Sequence, residues 1–201
     1  MYLKYLVKIE YFIKKNKHMP CIIGIDPSIN STGISIKFDN NTYIYYIISS
    51  KMTRKMESFS HKNVNILKYE KRDVKNLDYS NKEIEKTHNF MRLIDKIQWI
   101  IDKYKPNYVI MEGISYGSVS GSSLVDLAGI NFLIRSICIK SQIPITIVSP
   151  TSLKKFVCAN GQADKDVIID SWKKMDKNIS DIKDIKIDDL ADAYFLSNYP
   201  V

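Results

Sequence analysis

Five acidic residues stand at positions that ordinary solvation does not explain. Asp26 ends an apolar run typical of a buried strand, and Glu112 ends another. Asp188, Asp189 and Asp192 lie at the start of the last helical pattern. Because ligands of an open α/β sheet gather where strands end at a crevice, these carboxylates are candidates for one shared site.

The last three acids allow two pairings. Asp189 and Asp192 are three residues apart, and Asp188 and Asp192 are four apart. Both spacings place two side chains on one helix face. The sequence alone therefore leaves open which of Asp188 and Asp189 works with Asp192.

Convergence of these acids would have a chemical consequence. Carboxylates within a few ångströms raise one another's pKa, and a hard divalent cation such as Mg²⁺ or Mn²⁺ removes that conflict. Two such ions about 4 Å apart can activate a water and stabilise the leaving oxygen of a phosphoryl displacement. Each acid alone is ordinarily an N-cap or a turn residue, but the whole set favours a two-metal site.

The elements that would position these acids follow a regular order. Apolar runs predict five strands, at 21–26, 32–38, 42–48, 108–112 and 144–148. Helical spacing predicts five helices, at about 81–104, 123–140, 151–158, 165–175 and 188–198. The first three strands predict an antiparallel meander. The order predicts a three-layer α/β domain, with a mixed five-stranded sheet and helices on both faces.

Charge and length limit the functional class. The 201 residues carry 30 Lys and Arg against 22 Asp and Glu, a net charge of +8. A basic balance indicates a polyanionic partner, most commonly nucleic acid. We predict a basic N-terminal extension over 1–20, one domain over 21–201, and an exposed basic loop over 51–80. No run approaches the roughly 20 apolar residues of a membrane span, so we expect no membrane partner.

The cysteines carry no metal-site or disulfide pattern. Cys21, Cys138 and Cys158 stand far apart, without a CxxC spacing and in odd number. This distribution argues against a disulfide framework and a cysteine zinc site, and it predicts a reducing compartment.

Several motifs resemble those of the RuvC-type Holliday-junction resolvases, which are nucleases of the RNase H-like fold. The run GIDPSINSTG, Gly24–Gly33, is similar to the first strand and turn of that family. The run Val109–Glu112 resembles the strand that carries the catalytic Glu, and DLADA, at 189–193, resembles the terminal helix. Between them, the segment 149–165 resembles the one that carries two functional lysines. The resemblance extends over residues 21–199.

The resemblance implies an RNase H-like domain and roles for individual residues. Two Mg²⁺ or Mn²⁺ ions per site would be held by Asp26, Glu112, Asp189 and Asp192, with Asp188 as the alternate. These four acids and Lys165 would be the catalytic residues, with Lys165 directed at the scissile phosphate or the attacking water. Contacts to DNA would come from Lys154, Lys155, Tyr116, Ser31 and Thr32. The family has an aromatic residue three positions after its Glu, where this chain has Ser115.

The resemblance also implies an activity and partners. A homodimer would bind four-way DNA junctions and make paired, symmetric nicks in the cytoplasm of a bacterium or a phage-infected cell. Two alternatives keep the same fold: a nuclease for flaps or forks, and a junction-binding protein without catalysis. A third is an ATPase, because Asp26 to Gly33 also resembles the phosphate loop of sugar kinases and actin-like proteins. Those proteins need a second lobe, for which 201 residues leave little room.

Overall fold

The structure, a computed structural model, describes residues 20–38, 41–49, 64–114, 121–175 and 188–200. The described strands are β1 (Ile22–Asp26), β2 (Ser31–Phe38), β3 (Asn41–Ser49), β4 (Val64–Tyr69), β5 (Tyr108–Glu112) and β6 (Ile145–Val148). The described helices are α1 (Tyr79–Tyr104), α2 (Gly121–Lys140), α3 (Pro150–Cys158), α4 (Lys165–Met175) and α5 (Asp188–Ser197). The predicted extension over 1–20 lies almost wholly outside the described residues.

The strands form one mixed sheet in the order β4-β3-β2-β1-β5-β6. The antiparallel meander of β1, β2 and β3 is confirmed, and β5 and β6 continue the sheet parallel to β1. Because β1 and β5 are adjacent and parallel, their last residues leave the sheet at the same edge.

The predicted count of five strands is wrong, because the sheet has a sixth. Strand β4 lies within the segment 51–80 that the sequence predicts as a loop, and it pairs parallel to β3 at the edge of the sheet. An edge strand has only one neighbour, so a run as short as Val-Asn-Ile-Leu-Lys-Tyr suffices. Its apolar signal is correspondingly weak among the polar residues around it.

Two apolar cores lie on opposite faces of the sheet, which confirms the three layers. On β3, Tyr45 and Ile47 belong to the core under α1 and α2. Their neighbours Tyr46 and Ile48 belong to the core under α3, α4 and α5. The alternation follows from the two-residue repeat of a strand.

Helix α1 is bounded by local signals at both ends. Asp78 is its N-cap and accepts a hydrogen bond from the backbone N–H of Asn81 at 3.1 Å. Lys105 adopts the left-handed conformation after the last turn, with φ 46°, and Pro106 follows it. The helix therefore ends where β5 begins, at the edge of the sheet opposite to Asp26 and Glu112.

Helix α2 is long and apolar, and only part of it is buried. By length and composition alone this helix could cross a membrane. In the structure, 22% of its most apolar window is buried. Packed helices of soluble domains also pass that test, so it carries little weight. Val125, Phe132 and Ile139 are exposed along α2 at intervals of seven residues.

Candidate active site

Two carboxylates leave the sheet side by side. Ile25 of β1 lies opposite Met111 of β5, so Asp26 and Glu112 are the next residues on neighbouring strands. Their carboxyl groups share a hydrogen bond. Asp26 is only 7% exposed. The sheet topology itself thus creates the first half of the site.

Helix α5 supplies the second half by lying directly on the sheet. A Cβ atom on Gly24 would stand 2.2 Å from the carbonyl oxygen of Ala193. A Cβ atom on Gly33 would stand 2.0 Å from the carbonyl oxygen of Asp189. No side chain fits at either glycine. The absence of side chains there lets the acids of α5 reach the end of β1.

The structure distinguishes the acids at the start of α5. Ser31 donates a hydrogen bond from its hydroxyl to Oδ2 of Asp189, and the Tyr46 hydroxyl lies 3.5 Å from the same oxygen. Asp188 instead accepts a hydrogen bond from Nζ of Lys165. This arrangement favours Asp189 over Asp188 as the partner of Asp192.

Burial and neighbouring negative charges raise the pKa values of the four acids. Burial raises the pKa of Asp26 well above its usual range, and the charges of Glu112, Asp189 and Asp192 raise it further. Burial is also the main cause of the raised pKa values of Glu112 and Asp189. Burial and then the charge of Glu112 raise the pKa of Asp192 to about 7. With the strand pairing of β1 and β5 and the contact of α5 with both glycines, these effects place the four acids at the same end of the sheet.

Two of the predicted lysines also face the cluster. The charges of Lys154 on α3 and Lys165 on α4 lower the pKa of Glu112, against the larger effect of burial. The hydrogen bond to Asp188 raises the pKa of Lys165, whose side chain is 72% exposed. Lys155 is also exposed, and its stem packs against Gly161. Their contacts with DNA stay predictions.

The remaining predicted DNA contacts have different outcomes. The prediction for Thr32 is wrong, because Thr32 is fully buried. Its hydroxyl donates to the carbonyl of Ser28 at 2.7 Å, which fixes the turn after β1. Ser31 is partly exposed, but its hydroxyl is bonded to Asp189. Tyr116 and Ser115 lie outside the described residues.

Three residues that support the acids were not predicted from the sequence. They are Tyr46, which contacts Asp189, and Gly24 and Gly33, which allow α5 to approach the sheet. The available signal was the position of both glycines within strands, two residues before Asp26 and seven residues after it. A glycine within a strand indicates that another backbone approaches closely.

The donor set fits hard divalent cations. Four carboxylates supply only oxygen ligands, and their raised pKa values show that two nearby lysines do not compensate them. Across the ranges that the structure describes, no three or more His, Cys, Asp or Glu side chains form a ready cation cage. The fit therefore lies in the oxygen-only chemistry of the four acids and in their position at the ends of β1 and β5, rather than in a formed coordination sphere.

Comparison with known proteins agrees with this geometry. The family model described as "Crossover junction endodeoxyribonuclease RuvC" matches residues 64–197, about two thirds of the chain. No curated protein sequence matches significantly. The fold and the acid cluster define an RNase H-like nuclease. More particularly, the chain belongs to the RuvC family of crossover junction endodeoxyribonucleases.

Two solved structures with TM-scores above 0.5 show the same fold. Thermus thermophilus RuvC in complex with a Holliday junction substrate matches with a TM-score of 0.56 at 12% identity, covering 89% of this chain and 90% of that one. Another Thermus thermophilus RuvC structure matches with a TM-score of 0.52 at 12% identity, covering 88% and 90%. The crystal structure of the yeast mitochondrial Holliday junction resolvase has a TM-score of 0.45 at 13% identity, with 88% and 75% covered.

Proposed function

We propose that this chain resolves four-way DNA junctions by divalent-metal-dependent hydrolysis of one phosphodiester bond per active site. The observation that carries the proposal is the meeting of Asp26 and Glu112 with Asp189 and Asp192 in a chain of the RuvC family. In-line phosphoryl displacement needs compensation of negative charge on the phosphate and on the leaving oxygen.

The four carboxylates are the residues that would hold Mg²⁺ or Mn²⁺. When bound, such ions supply Lewis acidity at the phosphate and lower the pKa of water. Asp26, whose pKa is raised by all three of the other acids, would be one of the residues that hold the ions. Ser31 and Tyr46 orient Asp189 through its Oδ2 atom. A ligand fixed in this way loses less conformational freedom when a cation binds.

The lysines would bring the DNA backbone to the acids. Lys165 is exposed and bonded to Asp188, so its ammonium group can exchange that carboxylate for a phosphate oxygen. Lys154 and Lys155 stand on α3 and would contact neighbouring phosphates. Their charges oppose the repulsion that four carboxylates exert on a polyanionic substrate.

The uncovered face of α2 supports a homodimer. Val125, Phe132 and Ile139 form an exposed apolar stripe on a helix that is otherwise rich in Ile and Leu. Exposed side chains spaced by seven residues can pack against a second helix of the same kind. A two-fold dimer would bring two active sites to a substrate that has two-fold symmetry.

The cysteines support a reducing, cytoplasmic site of action in a bacterium or a phage-infected cell. Cys21, Cys138 and Cys158 are free thiols in the structure. Proteins that fold in oxidising compartments usually pair such residues.

The decisive experiment compares synthetic four-way junctions, forks, flaps and linear duplexes in the presence of Mg²⁺. We expect paired nicks in the four-way junction and loss of cutting by Asp26→Asn. The matched control is Asp102→Asn, an exposed acid in the last turn of α1 at the opposite end of the sheet. Preferential cutting of forks or flaps would show that the substrate is another branched DNA and not the four-way junction. Junction binding without metal-dependent nicking would contradict catalysis altogether.

A further inference from the structure

An open cavity of about 660 Å³ lies beside the acid cluster. It is lined by Ser31 and Tyr46, the same two side chains that contact Asp189. Its opposite wall is formed by residues 71–75, which connect β4 to α1. We call this space the side cavity. Its volume falls within the range of ligand-binding clefts.

The wall of the side cavity is fixed to the turn that follows Asp26. The hydroxyl of Tyr69 donates a hydrogen bond to the carbonyl of Ile29. Nζ of Lys71 donates to Oδ1 of Asn30 at 2.7 Å. The end of β4 and the residue Lys71 therefore place this wall directly against the turn that follows Asp26.

The same wall is held from the other side by α1. Asn89 is buried, and its side chain pairs with the backbone of Arg72 through two hydrogen bonds, of 2.9 and 3.0 Å. This pairing resembles that of a strand neighbour and leaves the side chain of Arg72 exposed. The start of the connection is therefore fixed between the turn after β1 and helix α1.

Positive side chains outnumber negative ones around the side cavity. The charged lining residues are Lys71, Arg72, Lys75 and Lys86, with Asp73 and Asp126. Some of this charge is already compensated, since Arg72 lies 3.5 Å from Glu70 and Lys86 lies 3.5 Å from Asp126. Lys75 is exposed on the connection and can approach a phosphate from solvent.

Four of the remaining lining residues are apolar. They are Ile29, Ile48, Val74 and Phe90. A nucleotide combines a flat ring with a phosphate, and stacking on apolar or aromatic side chains stabilises bases of every type. An apolar floor with a cationic rim matches that combination of groups.

We propose that the side cavity holds one nucleotide of the cut strand, adjacent to the scissile phosphate, with its base against Phe90 and Val74 and its phosphate near Lys75. The inference rests on the proposed function, because the acid cluster defines which strand is cut. Withdrawing a base from the stack is least costly where pairing is already interrupted, as at a branch point. The side cavity would then favour cutting beside such a point.

The test uses full-length protein carrying Asp26→Asn and junctions with 2-aminopurine on either side of the scissile phosphate. Unstacking increases the fluorescence of this base analogue. We expect a rise at one of the two positions on binding. Val74→Trp, which fills the side cavity, should abolish the rise.

A second variant covers the case in which Val74→Trp fails to fold. We expect Lys75→Glu to lower the slope of log affinity against log salt concentration by about 1, while Lys75→Arg keeps it. The matched control is Lys105→Glu, at an exposed lysine at the opposite end of the sheet. Thermal unfolding of each variant shows whether it is folded.

The outcomes separate this inference from the proposed function. If wild-type protein nicks junctions but the fluorescence of 2-aminopurine does not rise at either position on binding, the side cavity holds no nucleotide. The same follows if the rise persists in a folded Val74→Trp variant, or if Lys75→Glu behaves like Lys105→Glu. If wild-type protein neither binds nor nicks branched DNA, the proposed function fails and the inference fails with it.

Discussion

Towards the end of the sheet away from the acid cluster, Lys103 of α1 lies over aromatic rings. Its Nζ atom is 4.9 Å from the ring centre of Trp99 and 5.1 Å from that of Tyr104, and it donates a hydrogen bond of 2.9 Å to the Tyr45 hydroxyl. That hydroxyl is also 2.8 Å from the hydroxyl of Tyr104. We call these four residues the aromatic cluster.

The acid cluster is built from like charges instead. The aromatic cluster joins one cation to the electron-rich faces and oxygens of its neighbours, an arrangement that stabilises the fold. In the acid cluster, each carboxylate raises the pKa of another. The contrast indicates that one end of the sheet contributes to stability, whereas the other gives up stability by gathering like charges at the candidate active site.

The largest expected effect comes from separating α5 from the sheet. Gly33→Ala would place a Cβ atom 2.0 Å from the carbonyl oxygen of Asp189, so the helix must shift. We expect a loss of about 1–3 kcal/mol in the free energy of unfolding. Junction cutting should fall by about 100-fold, because the acids would be displaced. Gly121→Ala is the control, since its Cβ would meet nothing within 4 Å.

Stability should depend on pH at the acid cluster. A carboxyl group with a raised pKa stabilises the folded state below its unfolded pKa, near 4, and this contribution is lost as pH rises through the folded pKa. For Asp192 the folded pKa is about 7. We expect the melting temperature without divalent ions to fall between pH 4 and 7, and less steeply for Asp192→Asn.

Divalent ions provide the complementary measurement. Mg²⁺ should raise the melting temperature of wild-type protein at pH 7, by mass action on the folded state.

Identical pH profiles for wild type and Asp192→Asn would show that the acids do not oppose folding. The comparison between the clusters would then lose its basis.

A smaller effect is expected when the support of one ligand is removed. Ser31→Ala deletes the hydroxyl that donates to Asp189, and we expect Mg²⁺ affinity to fall by about tenfold. Tyr46→Phe removes a contact of 3.5 Å and should change affinity less. Calorimetric titration with Mg²⁺ measures both. A larger effect of Tyr46→Phe would show that Tyr46, and not Ser31, gives Asp189 its main support.

The smallest effect is expected at the aromatic cluster. Lys103→Met removes the cation but keeps an apolar stem, and we expect a loss of about 0.5–1 kcal/mol in the free energy of unfolding. Cutting should be unchanged, because Lys103 stands towards the opposite end of the sheet. Chemical denaturation and a nicking assay separate the two quantities. A fall in cutting at unchanged stability would contradict the assigned division of roles.

Local sequence patterns predicted much of the fold. Helix α4 has the predicted bounds. The meander was visible from a short apolar run in β1, from alternating apolar and polar residues in β2, and from the Tyr and Ile residues of β3. The acids were also identifiable, since a carboxylate at the end of an apolar run is conspicuous. The RuvC family followed from those same residues.

The parts that were missed depend on contacts that no single run of residues reveals. Strand β4 is defined by pairing with β3, and its own six residues carry little signal. Thr32 was expected at the DNA surface, yet its hydroxyl turns inward to Ser28. The choice between Asp188 and Asp189 needed Ser31 and Lys165, which lie far away in the chain.

The bare patches at Gly24 and Gly33 have a consequence for how such a protein can change over generations. Residues that build the architecture and residues that perform chemistry are usually free to vary separately. Here a single added methyl group at Gly24 or Gly33 would displace helix α5, which carries two of the acids, from the sheet. Descendants of this chain can exchange much of their surface, but those two positions must remain empty for as long as the enzyme cuts DNA.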